Sequence, residues 1–140
     1  MSRRKARDIT FKCVYSMMYG IENIDNALES ILTTGNSDMY TTIEKDERDY
    51  FEKVVCGIKE HESEIDNMIL SKLKNWTIDR IFKIDLAILR LAIYEIMYYE
   101  DMPVKVAVNE AVELAKKYGN DSSANFVNGV LREVIKEKEK

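Results

Sequence analysis

Apolar side chains recur every three or four residues along most of this chain, the spacing that lays one stripe down an α-helix. The two best punctuated stretches come last. Pro103 suits a first helical position, where its missing N–H would lack a partner in any case, and Gly119-Asn120 suits a stop that needs a left-handed residue. They bound a helix at roughly 104 to 118. Asp121, Ser122 or Ser123 then caps another, with Ala124, Val127, Leu131 and Val134 as its stripe. A glycine in mid-helix costs about 1 kcal/mol relative to Ala, so Gly129 predicts a close helix crossing that offsets the loss. Asn109 and Asn128 would then be buried hydrogen-bonding links between the two helices.

The same pattern predicts five helices upstream. The first runs from about residue 3 to Tyr19 on an arc of Ala6, Ile9, Cys13 and Met17, continued by Phe11, Val14 and Met18. A helix near 24 to 33 carries Ile24, Ala27, Leu28, Ile31 and Leu32, and a polar loop follows at 35 to 43. Helices at about 44 to 61 and 63 to 74 bury Phe51, Val54, Val55 and Ile58, then Ile65, Met68, Ile69 and Leu73. Trp76 to Lys83 is a connector with room for one short helical turn. Asp85 caps a helix reaching Tyr99 that is apolar nearly all round, which makes it the central post of its surroundings. Lys136 to Lys140 reads as a solvated, fraying end.

Composition agrees with an all-α protein of about seven helices. Five Gly and one Pro, against 46% apolar and 33% charged residues, are too few turn formers for a sandwich or barrel. A length of 140 residues fits one domain, 1–140, with an N-terminal half of about 1–61, a C-terminal half of about 62–140, and no room for a second enzyme domain. The charged start does not resemble a secretory signal, and the apolar stretch at 86 to 99 is too short, and too interrupted by Arg90 and Glu95, to span a bilayer. A soluble, cytoplasmic protein with no membrane partner is expected. Cys13 and Cys56 fall in apolar patterns and read as small buried hydrophobes, with no disulfide framework or zinc spacing.

Charge changes the picture through its distribution. The net charge is −4, yet residues 1 to 12 hold Arg3, Arg4, Lys5, Arg7 and Lys12 against Asp8 alone, so the remainder carries −8. A basic end on an acidic body points to a localised anionic partner. Cations at a helix N-terminus oppose the macrodipole, and a phosphate backbone would compensate them. Composition leaves RNA or DNA and a merely solvated basic surface equally open. Near the other end, Tyr118, Asn120, Ser122, Asn125 and Phe126 gather polar groups and two aromatics at one helix junction, the combination that stacks and reads a single-stranded base.

Nothing in the chain suggests catalysis. His61, the one histidine, lies among Glu60, Glu62 and Glu64 without soft metal ligands nearby in sequence, and no phosphate loop, nucleophile elbow or Cys/His pair occurs. Neither a metal nor a cofactor is expected. Arg90, inside an apolar helix, reads as a structural cation paired with a carboxylate such as Glu95 or Glu110.

Three blocks in order resemble the NusB family of bacterial transcription antitermination factors. They are Arg3-Arg-Lys-Ala-Arg7 leading to Tyr15-Ser16, Asn75-Trp76 with the helix from Asp85 to Glu95, and Val106 to Lys116 with Phe126 to Leu131. The resemblance runs from Arg3 to about Arg132. It implies two small packed helical bundles and a non-catalytic adaptor that binds the boxA element of nascent ribosomal RNA together with NusE, a small-subunit ribosomal protein. Other Nus factors and RNA polymerase would be reached indirectly, and the protein would be a monomer or a homodimer.

Carried over position by position, the implied RNA surface comprises Arg3, Arg4, Lys5, Arg7, Tyr15, Tyr118 and Phe126, with Ser122 at a turn position often acidic in relatives. The resemblance makes the basic start and the junction two halves of one RNA site. It places Asp79 and Asp85 near the NusE surface. Asn125 stands where relatives often have a basic residue, and little precedes the arginine cluster. Two other readings carry different requirements. The NusB-like recognition domain of ribosomal RNA cytosine methyltransferases needs a following Rossmann-like domain, and a pure interaction protein would bury the arginine helix in a homodimer.

Overall fold

The structure, a computed structural model, describes residues 3–20, 44–99 and 102–138. Those residues form α1 (Arg3–Met17), α2 (Lys45–Glu60), α3 (Glu62–Ser71), a 3₁₀ turn (Ile78–Arg80), α4 (Lys83–Tyr98), α5 (Val104–Tyr118) and α6 (Ser123–Lys138). No strand occurs among them, so the all-α expectation holds. The helix expected at 24 to 33 and the loop at 35 to 43 lie outside the described residues. The chain divides into two units, Met1–Gly57 and Ile58–Lys140.

In the first unit Ala6, Ile9, Phe11, Cys13 and Val14 on α1 and Phe51, Val54 and Val55 on α2 are buried as predicted, Tyr50 joins them, and Met17 and Met18 are half-buried. Glu47 is buried on the first turn of α2, where its Oε1 accepts the Glu44 N–H at 3.0 Å and pairs with Lys5 Nζ at 3.3 Å. The first contact is one half of a capping box. Cys13 is buried as expected, and burial, followed by the proximity of Cys56, pushes its thiol up to about 12. Cys56 itself is exposed, against the expectation of two buried thiols, because it sits on the outer side of α2 next to the inward Val55.

In the second unit every residue from Asp85 to Ile96 is buried, and α4 packs against α3, α5 and α6. A helix surrounded in this way has no solvent face, which is why its sequence is apolar all round. Arg90 is held there by Asp66, whose carboxylate oxygens accept from Nε at 2.9 Å and Nη2 at 2.8 Å, with Glu62 at 3.4 Å. The expected partners Glu95 and Glu110 are replaced because α3 brings a two-oxygen acceptor to the planar guanidinium fork.

Several termini differ from their sequence signals. The helix α3 stops at Ser71, since Lys72 N and Leu73 N make tight i→i+3 bonds to Ile69 O (3.0 Å) and Leu70 O (3.1 Å), and Asn75 takes a left-handed φ of 62°. Pro103 is the residue before α5 rather than its first, accepting from Val106 N and Ala107 N at 3.0 and 3.1 Å. The far end is not free: α6 continues to Lys138, whose ammonium donates to Ile96 O at 2.7 Å near the C-terminus of α4. A cation there also meets the negative end of the α4 dipole.

Candidate functional site

The expected site residues fall in both units. In the first, Arg4 is exposed on the opening turn of α1, and Lys5, half-buried, shares its charge with Glu47. The helix has no acidic residue in its first turn, so these cations stand against the dipole as the sequence suggested. Arg7 is different. It is 3% exposed, one turn before buried Phe11, and thus lies beneath the surface. The cause is helical register: position 7 shares the buried side of α1 with position 11.

Phe11 and Tyr15 on α1 and Tyr19 in the turn after it succeed one another at four-residue spacing. Phe11 and Tyr15 have ring centroids 6.2 Å apart, Tyr15 and Tyr19 meet edge to face at 5.1 Å, and their hydroxyls lie 3.2 Å apart. That hydroxyl contact, more than burial, raises the Tyr15 phenol above its ordinary range. Tyr19 is well exposed and was not among the expected residues. Its four-residue offset from Tyr15 was the available signal.

In the second unit the α5–α6 turn is organised by Asn120. Its Oδ1 accepts from Ser122 N at 2.9 Å, Ser122 Oγ at 2.9 Å and Ser123 Oγ at 3.2 Å, while its own N–H donates to Ser123 Oγ at 3.0 Å. The Asn120 side chain therefore does the joining that Asp121, Ser122 or Ser123 was expected to do alone. Gly119 is extended, with φ −88° and ψ −170°, so it does not supply a left-handed stop. Its role is to lack a Cβ, since a methyl there would sit 2.5 Å from Ser123 Cβ and 2.7 Å from Ala115 O.

Around this turn Ser122 and Asn125 are exposed and Tyr118 and Phe126 are half-buried, with Lys117 Nζ 5.0 Å from the Tyr118 ring centroid. Ring faces, a cation and amide edges thus occupy one short span, the chemistry that receives an unstacked base. Gly129 and Asn109 do not contribute to a helix crossing: both are exposed, Asn128 is half-buried, and nothing lies within 4 Å of a Cβ built at Gly129.

The two residues expected at a protein partner also separate. Asp79 is exposed on the 3₁₀ turn. Asp85 is 5% exposed in the first turn of α4, which begins two residues earlier with Phe82 before it, so it does not cap the helix. Burial raises its carboxyl above the ordinary range, a hydrogen bond from Ser123 opposes the rise, and Oδ1 has no hydrogen-bond partner. Ser123 has one hydroxyl proton, shared between Asp85 and Asn120 Oδ1. Asp85 is in consequence a support under the turn.

One aromatic that the expectation left out stands against this turn. Trp76, which the sequence presented as part of a connector and of one family block, has its ring centroid 6.0 Å from that of Phe126. Elsewhere in the unit, His61 stacks on Tyr98 at 4.0 Å, and Tyr98 donates to Glu64 Oε2 at 2.7 Å. That bond lowers the Glu64 carboxyl and pushes the Tyr98 phenol up to about 12. Among the described residues no group of three His, Cys, Asp or Glu side chains is placed to hold a metal, and no helix is long and apolar enough to cross a membrane.

Comparison with known proteins converges on one family. The model of the NusB family matches residues 4–136. The transcription antitermination protein NusB of Clostridium botulinum is 42% identical over 96% of this chain and 100% of its own, and that of Bacillus subtilis is 40% identical over 96% and 95%. Among solved structures, NusB of T. maritima superposes with a TM-score of 0.85 at 35% identity, covering 98% of this chain and 92% of that one. A crystal structure of antitermination factors NusB and NusE in complex with dsRNA gives 0.82 at 28% identity, covering 98% and 99%.

Proposed function

The chain belongs to the NusB family, and from that membership we propose that it is a non-catalytic transcription antitermination factor of the cytoplasm, binding boxA RNA of nascent ribosomal transcripts together with NusE. The observation that carries the reading is the α5–α6 turn, where exposed Ser122 and Asn125 flank the partly open rings of Tyr118 and Phe126. These groups take a base by stacking and by its edges, whereas Arg3, Arg4 and Lys5 on α1 hold phosphates and Tyr15 adds a further ring. Arg7 supports that helix from below. Asp79 offers its charge to NusE, and Asp85 acts on the same surface only through the turn it supports.

A gel shift with boxA RNA, with and without NusE, over a salt series tests the assignment. Arg4→Ala removes a phosphate contact, so binding weakens and the slope of log K against log salt falls by about 0.7. Phe126→Ala removes stacking of about 1–3 kcal/mol, so binding weakens with the slope nearly unchanged. Equal binding by both variants and the unaltered protein, with NusE present, refutes the assigned surface. Arg7→Ala is a poorer probe, because removing a buried cation changes the fold as well.

A further inference from the structure

The connector between α3 and α4 carries an aromatic and cationic surface that the assigned RNA residues do not include. Trp76 follows the left-handed Asn75 and is 42% exposed, and Phe82 is 44% exposed. The Trp76 ring lies 6.0 Å from the Phe126 ring at an interplanar angle of 33°, and Arg80 Cζ stands 5.9 Å from the Trp76 centroid.

Surface packing of two rings would account for the contact alone. It does not account for so much indole left in water, since burying an aromatic of this size is worth about 1.5–3 kcal/mol. Nor does it account for the charge. Lys74 and Arg80 in this connector and Lys83 at the start of α4 are exposed against Asp79 alone, on a chain whose net charge is −4. A part-exposed indole, a guanidinium over it and a local excess of cations are the composition of a single-strand stacking platform, where the exposed part of the ring takes a base and the cation its phosphate. A protein partner would favour Trp and Arg too, but continuity with Phe126 and the positive surround favour nucleic acid.

We propose that Trp76, flanked by Arg80, continues the stacking surface of Phe126 and takes a second base of the same single-stranded RNA. The inference rests on the RNA-binding reading above and extends it by one platform. Arg80 neutralises a phosphate beside that base.

Trp76 is the only tryptophan of the chain, so its fluorescence reports on this position alone. Titrating the full-length protein with a single-stranded boxA oligonucleotide quenches the emission saturably and shields it from acrylamide, which needs no variant. Trp76→Ala weakens RNA binding by roughly 5- to 150-fold without changing the salt slope, and Trp76→Phe retains most of the affinity. Arg80→Gln lowers the salt slope by about 0.7.

If RNA binds, with Phe126→Ala impaired, while Trp76 emission and Trp76→Ala affinity stay as in the unaltered protein, the second platform is overturned and the RNA reading survives. If the unaltered protein binds no RNA even with NusE, both are overturned. Quenching by NusE alone and not by RNA assigns the surface to the protein partner and overturns the platform. Should Trp76→Ala lose its helical circular dichroism, the emission and acrylamide results on the unaltered protein decide.

Discussion

Replacing Gly119 by Ala sets two effects of opposite sign against each other. The backbone at Gly119, φ −88° and ψ −170°, is open to any L-residue, so the substitution stiffens the unfolded chain at no conformational penalty in the folded one. Alone, that stabilises by about 0.4–1 kcal/mol. The new methyl, however, would lie 2.5 Å from Ser123 Cβ and 2.7 Å from the carbonyl oxygen of Ala115, against an ordinary separation of roughly 3.5–4 Å. Ala115 O is fixed by α5 and already accepts the residue-119 N–H at 2.9 Å, and Ser123 is fully buried. Neither neighbour is a flexible chain end that can swing aside.

Relief must therefore come from moving the start of α6, which stretches the bonds between Asn120 and Ser123. Overpacking of this kind costs about 1–3 kcal/mol, and each weakened internal hydrogen bond adds about 1 kcal/mol. The costs exceed the gain, leaving a net loss of about 2–3 kcal/mol. Urea unfolding followed by far-UV circular dichroism measures it, with Gly129→Ala as the internal contrast. Gly129 is exposed and helical with nothing within 4 Å, so Ala there gains about 0.5–1 kcal/mol. A Gly119→Ala protein as stable as the parent, or one stabilised as much as Gly129→Ala, refutes the steric account of the turn.

Four further substitutions or reactions read other parts of the structure. Asp85→Asn is expected to stabilise the protein at neutral pH by on the order of 1 kcal/mol, because a buried carboxylate lacking a partner on Oδ1 is replaced by a neutral amide. With its carboxyl raised in the folded state, Asp85 binds protons more readily there than in the unfolded chain, so its cost grows as pH rises through the folded value. The advantage of Asn therefore shrinks on acidification, and a difference independent of pH contradicts this. Asp66→Ala leaves Arg90 with Glu62 at 3.4 Å and costs about 2–3 kcal/mol by thermal or urea unfolding; a loss under about 0.5 kcal/mol would show the bidentate pair to be dispensable. A maleimide followed by mass spectrometry modifies Cys56 in the native protein and Cys13 only on unfolding, and equal rates would contradict their placement. Ser122→Asp puts an anion just before α6, which favours the helix by about 0.5 kcal/mol while repelling phosphate; stability and RNA affinity moving in the same direction would sink the reading.

Helix existence was legible because each helix buries one repeating face, and that face is written in residue type. Helix α5 begins and ends, and α6 begins, within a residue or two of where Pro103, Gly119 and the following serines placed them. What could not be read was the job each punctuating residue performs. Glycine 119 looked like a conformational device and is a steric one; glycine 129 looked like a steric device and faces solvent. Sequence gives the absence of a side chain but not what stands opposite the missing atom. Trp76 was hidden for the same reason, since its distance from Phe126 is fixed by tertiary packing across fifty residues of chain.

The charged residues carry a sharper lesson. Arg7, Asp85 and Arg90 are charged by type and buried by position. Residue type argues for water, but periodicity places Arg7 four residues before Phe11 on the side that carries the core, and places Arg90 in a helix without a polar face. Burying the whole face of a helix gains several kcal/mol of apolar area, more than one charge costs once a partner is supplied. Arg90 shows that partner in Asp66, at 2.8 and 2.9 Å; Asp85 has only Ser123, and its raised carboxyl is the trace of the shortfall. Where charge and register conflict, register decides whether a residue is inside, and the quality of its partner decides what that burial costs. By that rule the RNA surface proposed for α1 reduces to the cations off the core arc, of which Arg4 is exposed and Lys5 half-buried.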